Sequence, residues 1–340
     1  MGVKAGFRER ALVTGALPER ALSRLRELAD VVAGEDLPVR PWRGFSQEDL
    51  ADLVIETGAT LLVVDGDEVG GPVLDLPLTA VASLGDPAGI DLRLAAERGV
   101  PVLHAPERDA DAVAELTIGL LFAVSRHIVV ADRDVRRGRA YRGGVRPGLR
   151  HRGRRLSGRT FGVVGLGRVG RAVRWRVEGL GMRVIAADPY VPDATHSLNE
   201  LLRTADVVSL HVPETAETRG FMGDTEFALM RRGAIYLNTS RAALQDLSAL
   251  IDALRRGQLG GAGLDHFERE WLEPGHPITR FPNVVLTPHL GEATSETEEG
   301  HAELLIGDLA RLLHGEQPRY ACLPGLSSIG PAPIGPARNL

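Results

Sequence analysis

Three residues in the last third of the chain have the types needed to hold an anion and to move a proton. Arg241 stands in "AIYLNTSRAAL", Glu270 in "GAGLDHFEREW" and His289 in "NVVLTPHL". A guanidinium offers a planar fork of donors that fits a carboxylate or polarises a carbonyl oxygen. An imidazole works as acid or base near neutral pH, and a neighbouring carboxylate favours its protonated form. Pro288 lacks a ladder N–H, so the apolar run Val284-Val285-Leu286 must end before His289. Each of the three also has a plain structural reading: a surface arginine, a solvated acidic stretch, a hydrogen-bonded turn histidine. They form a set only if the fold delivers them to one edge.

The elements that must do this are legible. From Leu156 onward, "TFGVVG", "RVIAAD", "VVSLHV", "AIYLNT", "GAGLD" and "NVVLT" read as strands with helices between them, one helix N-capped by Ser197 before "LNELLRTA". In an open parallel sheet ligands bind outside the carboxyl ends of the strands. Arg241, Asp265 and His289 all follow such ends. The first hundred residues alternate "RALVTG", "LPERALSRLREL", "LADLVIETGATLLVVDG", "LTAVASLG" and "IDLRLAAERGVPVLHA", a rhythm that predicts a second, smaller parallel sheet. Between the two series lies "DAVAELTIGLLFAVSRHIVVADRDVRRG", read as one helix, and an Arg/Gly-rich connection. The expected fold is α/β, with two doubly wound parallel-sheet domains: a Rossmann dinucleotide-binding domain over 105–292 and a smaller flavodoxin-like substrate domain over 1–104 and 293–325. The helix "ETEEGHAELLIGDLARLLHG" should return to the smaller domain, and the Pro/Gly/Ser-rich tail 326–340 is expected to be disordered.

"GVVGLGRVGR" supplies Gly165, Gly167 and Gly170 in GxGxxG spacing, with Arg168 and Val169 between the last two. Alone the pattern is weak in a glycine-rich chain. Here it follows an apolar strand, opens a helix, and is followed by a second strand ending in Asp188, which is the context the fingerprint requires. Gly165 makes the tight turn, Gly167 admits the pyrophosphate and Gly170 lets the helix pack on the strand. Asp188 would accept hydrogen bonds from the adenine-ribose hydroxyls and repel a 2′-phosphate, so NAD is expected rather than NADP. A nicotinamide would then lie beside Arg241 and His289. Hydride transfer to a 2-oxo acid needs a fixed cation for the carboxylate and a proton donor for the developing alkoxide, and the set supplies both.

Composition excludes several other chemistries. Lys4 is the only lysine, which removes Schiff-base, P-loop and kinase-type lysine mechanisms. Cys322 is the only cysteine, so there is no internal disulfide and no cysteine-built zinc site; no metal is expected. A net charge of −5 argues against nucleic acid as a partner. No apolar run approaches membrane-spanning length, and "MGVKAGFRERALVTG" has no signal-type apolar region, so a cytoplasmic protein without a membrane partner is expected.

Taken together, "AERGVPVLHAPERDADAVAELTIGLL", "GVVGLGRVGR", "ADVVSLHVPETAETRGFMG", "MRRGAIYLNTSRAALQD", "AGLDHFEREW" and "FPNVVLTPHLGEAT" make the chain resemble the D-isomer-specific 2-hydroxyacid dehydrogenases, from about residue 10 to about residue 320. That resemblance implies Arg241, Glu270 and His289 as the catalytic set, and Asp265 as a contact of the nicotinamide carboxamide. It also implies Thr239 and Ser240 in the cofactor cleft, His211 and Val212 near the adenine side, a hinge, and a homodimer built partly on the helix near Ala112–His127. The family's substrate loop is altered here to "SLGDPAGID", placing Leu84, Gly85 and Asp86 where a small 2-oxo or 2-hydroxy acid would meet backbone N–H groups. "SRAA" replaces the usual arginine and two glycines, and Trp271 stands where proline is usual. The reaction type is therefore better defined than the substrate. Two other classes fit the same motifs: an NAD(H)-sensing corepressor-like binding protein, and a dehydrogenase of a small inorganic or one-carbon acid. Glu270 argues against the formate enzymes, which carry glutamine there.

Overall fold

The computed structural model describes residues 8–34, 37, 44–85, 87–105, 110–268 and 271–322. Asp86, Glu270 and the tail 326–340 lie outside the described residues. The chain divides into two compact units, Met1–Arg108 with Thr294–Leu340, and Asp109–Ala293.

The first unit alternates β1 (Arg10–Val13), α1 (Glu19–Leu28), β2 (Asp30–Ala33), α2 (Gln47–Thr57), β3 (Leu61–Val64), α3 (Gly71–Leu74), β4 (Ala80–Ser83), α4 (Leu92–Arg98) and β5 (Val102–His104). Its sheet runs in the order β2-β1-β3-β4-β5, all parallel, which is the flavodoxin-type order. The continuous apolar strands "LLVV" and "AVAS" are buried along their whole length, as a sheet covered on both faces demands. The Ser46 side chain accepts from the Asp49 N–H to start α2, and Gly58, at φ 65, ends it in the left-handed conformation.

The second unit holds α5 (Ala110–Ser125), α6 (Ile128–Arg136), α7 (Pro147–Arg150), β6 (Thr160–Val164), α8 (Arg168–Gly179), β7 (Arg183–Ala187), α9 (Leu198–Thr204), β8 (Val207–Leu210), α10 (Asp224–Leu229), β9 (Ala234–Asn238), α11 (Leu247–Arg255), β10 (Leu259–Leu264) and β11 (Val284–Leu286). Its six strands are parallel in the order β7-β6-β8-β9-β10-β11, so neighbours change side at β6, the strand that leads into the glycine turn. Ser197 caps α9 as expected, in a reciprocal capping box with Glu200. The chain then returns to the first unit: α12 (Ser295–Leu313) buries Ala302, Leu305, Ile306 and Leu309 against Val13, Val63 and Leu103, and β12 (Ala321–Cys322) pairs antiparallel to β5.

The single helix expected over "DAVAELTIGLLFAVSRHIVVADRDVRRG" is two. It breaks between Ser125 and Ile128, where His127 takes φ 56, and α5 and α6 are bent by 64°. The Ser125 carbonyl, which would continue the helical ladder, accepts from the Arg154 N–H instead. Gly153 comes so close that a Cβ would stand 2.4 Å from that oxygen. The apolar residues of α5, Ala114, Leu120, Leu121 and Val124, lie in the core of this unit, and no single described helix is long and apolar enough to cross a membrane.

Candidate active site

Six parallel strands end at one edge of the second unit, and each carboxyl end carries a residue of chemical interest. After β6 the chain turns through Gly165 at φ 94, a conformation that L side chains rarely adopt. A Cβ there would stand 2.5 Å from the His211 carbonyl oxygen, and one on Gly170 would stand 2.0 Å from the Gly165 carbonyl oxygen. Gly167 is different: its missing Cβ faces open space. Gly167 also begins the twelve-residue helix α8 without a side-chain cap, which leaves the first N–H groups for an anion. Two glycines thus serve packing and the third leaves the backbone approachable. This is a cradle a pyrophosphate fits, with Arg168 exposed and Val169 half-buried on the first turn of the helix.

Asp188, just after β7, braces this turn. Its Oδ2 accepts from the Leu166 N–H at 2.8 Å and its Oδ1 from the Tyr190 N–H at 2.9 Å. Asp188 is half-buried, and each oxygen retains a lone pair for a further donor. After β8, His211 lies buried with Nε2 2.9 Å from the Ser209 hydroxyl, and burial lowers its pKa to about 3. It is a neutral spacer. His211 and Val212 stand against the Gly165 turn.

The β9 end is held by a buried clasp that the sequence did not advertise. Asn238 donates to the Arg241 carbonyl at 2.9 Å and to Gln245 Oε1 at 3.2 Å, and accepts from the Ser240 N–H at 3.0 Å. Thr239 meets the Thr117 hydroxyl at 2.8 Å, and Ser240 Oγ donates to the Leu210 carbonyl at 2.9 Å. The turn is thereby tied to α5 and to the end of β8, while Arg241 itself remains exposed.

Asp265 follows β10 and is fully buried. Its Oδ1 accepts from Thr287 Oγ1 at 2.6 Å and from the Leu290 N–H at 2.9 Å; its Oδ2 accepts from the Gly291 N–H at 2.8 Å. The Asp265 carbonyl takes the His289 N–H at 2.8 Å. This carboxylate organises the turn that presents His289, whose φ of 56 is one of two positive values at non-glycine residues among those described.

A residue absent from the expected set completes the arrangement. His266 is 4 % exposed, and its ring centroid lies 3.9 Å from that of His289, the planes tilted by 54°. Burial, and then repulsion from His289 and Arg241, push its pKa down to about 3 against a weaker opposing hydrogen bond with the Thr239 backbone. His266 is therefore a neutral imidazole placed among Arg241, Thr239 and His289. Its neighbours in sequence, Asp265 and Phe267, gave no signal that the position was more than a strand-end side chain.

Leu84 and Gly85 belong to the first unit, directly after β4. The Leu84 N–H donates to the Val64 carbonyl at 2.8 Å and Ser83 Oγ to the Gly85 carbonyl at 3.0 Å. Among the described residues, no group of three or more His, Cys, Asp or Glu side chains could hold a metal ion.

Comparison with known proteins identifies the family and the fold. Residues 118–291 match the family model for the D-isomer specific 2-hydroxyacid dehydrogenase, NAD binding domain. A glyoxylate reductase of Thermofilum pendens is 37 % identical over 324 residues, covering 92 % of this chain and 93 % of that protein. A D-3-phosphoglycerate dehydrogenase of Methanocaldococcus jannaschii is 34 % identical over 90 % of this chain, which spans 57 % of it. Among solved structures, the TT0316 protein from Thermus thermophilus superposes with a TM-score of 0.81 at 40 % identity, over 92 % of this chain and all of that one.

Proposed function

The chain belongs to the D-isomer specific 2-hydroxyacid dehydrogenase family, and from that premise we propose that it interconverts a small 2-oxo acid and its 2-hydroxy acid with NAD(H). The observation that carries the reading is the gathering of Arg241, His266 and His289 at the strand ends of the unit that holds the glycine cradle. NADH, held at the Gly165–Gly170 turn and Asp188, would supply the hydride for the substrate carbonyl carbon. Arg241, exposed beyond β9, holds the substrate carboxylate and polarises the oxo group. His289 as imidazolium donates a proton to the carbonyl oxygen as it gains negative charge, and as neutral imidazole takes it back in the oxidation. Glu270, by its place in the sequence, is the carboxylate that favours the charged imidazole in reduction. Asp265 keeps one lone pair of Oδ2 for the nicotinamide carboxamide while its other bonds hold the histidine turn.

Relatives named for glyoxylate and for 3-phosphoglycerate leave the substrate to this chain's own residues. Pro87 removes a backbone donor from the loop after β4, and Asp86 adds a negative charge beside it. A like charge at about 4–6 Å costs on the order of a few kcal/mol in a partly desolvated cleft. Both features favour a monoanionic 2-oxo acid over a phosphate ester. The active form is a homodimer, a reading supported by the exposed apolar side chains Ile128, Val129, Val135, Tyr141 and Leu149 on and after α6. Following NADH absorbance with glyoxylate, pyruvate, hydroxypyruvate and phosphohydroxypyruvate tests the activity. No turnover with any 2-oxo acid overturns it, and a clear preference for the phosphorylated substrate, unchanged in Asp86→Gly, overturns the loop reading.

A further inference from the structure

We propose that His266 is a positioning residue for the proposed acid–base group: its ring backs the His289 imidazole and holds it in one orientation at the strand edge. The inference rests on His289 being that group, and it assigns a function to a side chain outside the proposed catalytic set.

Two adjacent residues, Asp265 and His266, both meet His289. Asp265 fixes the backbone, through its carbonyl to the His289 N–H at 2.8 Å and its carboxylate to the two residues that follow. His266 meets the ring itself, at 3.9 Å between centroids. Backbone bonds do not set the side-chain torsions of the imidazole; contacts on the ring do, and His266 supplies one of them. His266 can serve as a wall because it is itself immobilised, at 4 % exposure beyond the end of β10. Its Nδ1 meets no hydrogen-bond partner among the described residues, and a hydrogen bond with the Thr239 backbone adds to the packing that holds the ring.

An imidazole suits the task because His289 must change charge during turnover. The groups that face His266 are His289 and Arg241, with the Thr239 backbone beside them. Both side chains repel a proton on His266, and burial opposes it more strongly, so the wall stays neutral while the ring in front of it is protonated and deprotonated. A neutral aromatic face in contact with an imidazolium is mildly attractive, and one in contact with a neutral imidazole packs equally well. A second titrating base here would compete for the proton; this one does not.

The test compares His266→Ala and His266→Phe with the unaltered protein and with His289→Asn. For NADH-linked reduction of glyoxylate, His266→Ala should lose roughly ten- to a hundredfold in kcat, the range in which a small misplacement of a reacting group acts. KM and NADH affinity should stay within about threefold. His266→Phe, which restores a ring without a titratable nitrogen, should recover kcat to within about threefold of the unaltered protein. An undiminished kcat in His266→Ala, or a loss in His266→Phe as large as in His266→Ala, overturns the inference. Should His266→Ala not fold, His266→Phe alone decides: a hundredfold loss with NADH binding intact overturns it. The His289 ring resonance, assigned by its disappearance in His289→Asn, provides a readout independent of turnover. It should shift and broaden in His266→Ala and return toward its native position in His266→Phe; an unchanged resonance in His266→Ala also overturns the inference. If the unaltered protein reduces no 2-oxo acid, the functional reading fails, and the resonance still decides whether His266 restrains the ring.

Discussion

The backbone N–H of His289 donates to the carbonyl oxygen of Asp265 at 2.8 Å, and the same aspartate's carboxylate accepts from the next two N–H groups, those of Leu290 and Gly291. A buried carboxylate with three donors on it is a rigid anchor, and what it anchors is a histidine at φ 56. Left-handed backbone at a non-glycine residue is unfavourable on its own and persists only where the surroundings impose it. The strand end of β10 therefore sets the aim of the side chain that follows β11.

Asp265→Ala should cost both stability and turnover. Three donors, one buried and two part-buried, lose their acceptor, a loss of about 2–4 kcal/mol. Asp265→Asn keeps one acceptor oxygen and should recover part of the stability. Urea unfolding of the three proteins, with kcat measured beside it, checks this; unaltered stability in Asp265→Ala would mean that the turn is held by other means.

At position 289 two substitutions separate chemistry from backbone. Asparagine tolerates left-handed φ, so His289→Asn should fold normally, bind NADH and lose roughly 10²–10⁴-fold in turnover, the usual contribution of a general acid or base. His289→Val removes the same chemistry and adds strain, because a β-branched side chain is an outlier at positive φ. It should unfold at lower denaturant than His289→Asn. Near-native turnover in His289→Asn sinks the acid–base assignment.

The glycine turn makes a sharper contrast. Gly170→Ala places a methyl 2.0 Å from the Gly165 carbonyl oxygen, so α8 must shift off its strand and the protein should be markedly destabilised. Gly167→Ala meets nothing within 4 Å and should leave folding intact. Its methyl would instead occupy the space a pyrophosphate needs, weakening NADH binding by tenfold or more, a change of about 1.4 kcal/mol. Thermal unfolding and NADH fluorescence titration give the two readouts. Unaltered NADH affinity in Gly167→Ala would remove the cradle from this turn.

What the sequence carries, and what it does not, follows from the range of the interactions. The glycine spacing, the strand ends and Asp188 were legible because each is a local pattern with a local physical cause. The break between α5 and α6 was not, since no proline or glycine marks Arg126-His127; the cause is Gly153 and Arg154 arriving from elsewhere in the chain. The edge strand β2 is four residues long and lies between clearer signals. Asp265 was legible as a strand-end carboxylate, whereas its bonds to Thr287, Leu290 and Gly291, more than twenty residues away, were not. His266 could not be singled out at all: an imidazole after a strand carries meaning only when the ring it touches is known.

Acid should weaken the protein through its buried histidines. His211 has a folded-state pKa of about 3, below the ordinary value of 6.5, so the unfolded chain binds a proton that the folded chain refuses. Its contribution is fully present above about pH 6.5 and is lost as pH falls toward about 3. The slope in that window approaches about 1.4 kcal/mol per pH unit for one such group. His211→Gln removes this titration and should flatten the dependence of unfolding free energy between about pH 4.5 and 6.5 by about that much. An identical slope in the variant would show that His211 takes up its proton without unfolding.

Cofactor choice turns on Asp188, and two substitutions divide its roles. The carboxylate braces the glycine turn through the Leu166 N–H at 2.8 Å and its own loop through the Tyr190 N–H at 2.9 Å. Asp188→Asn keeps an acceptor and a similar shape but removes the charge that would repel a 2′-phosphate. It should narrow the NADH-over-NADPH ratio of kcat/KM by about tenfold or more, chiefly by improving NADPH. Asp188→Ala loses the ribose acceptors and the brace together, so NADH should weaken, the glycine turn should loosen, and the ratio should narrow from the other side. Steady-state kinetics with both cofactors separates the two effects. A native preference for NADPH, or an unchanged ratio in Asp188→Asn, would show that this carboxylate braces the turn without reading the ribose.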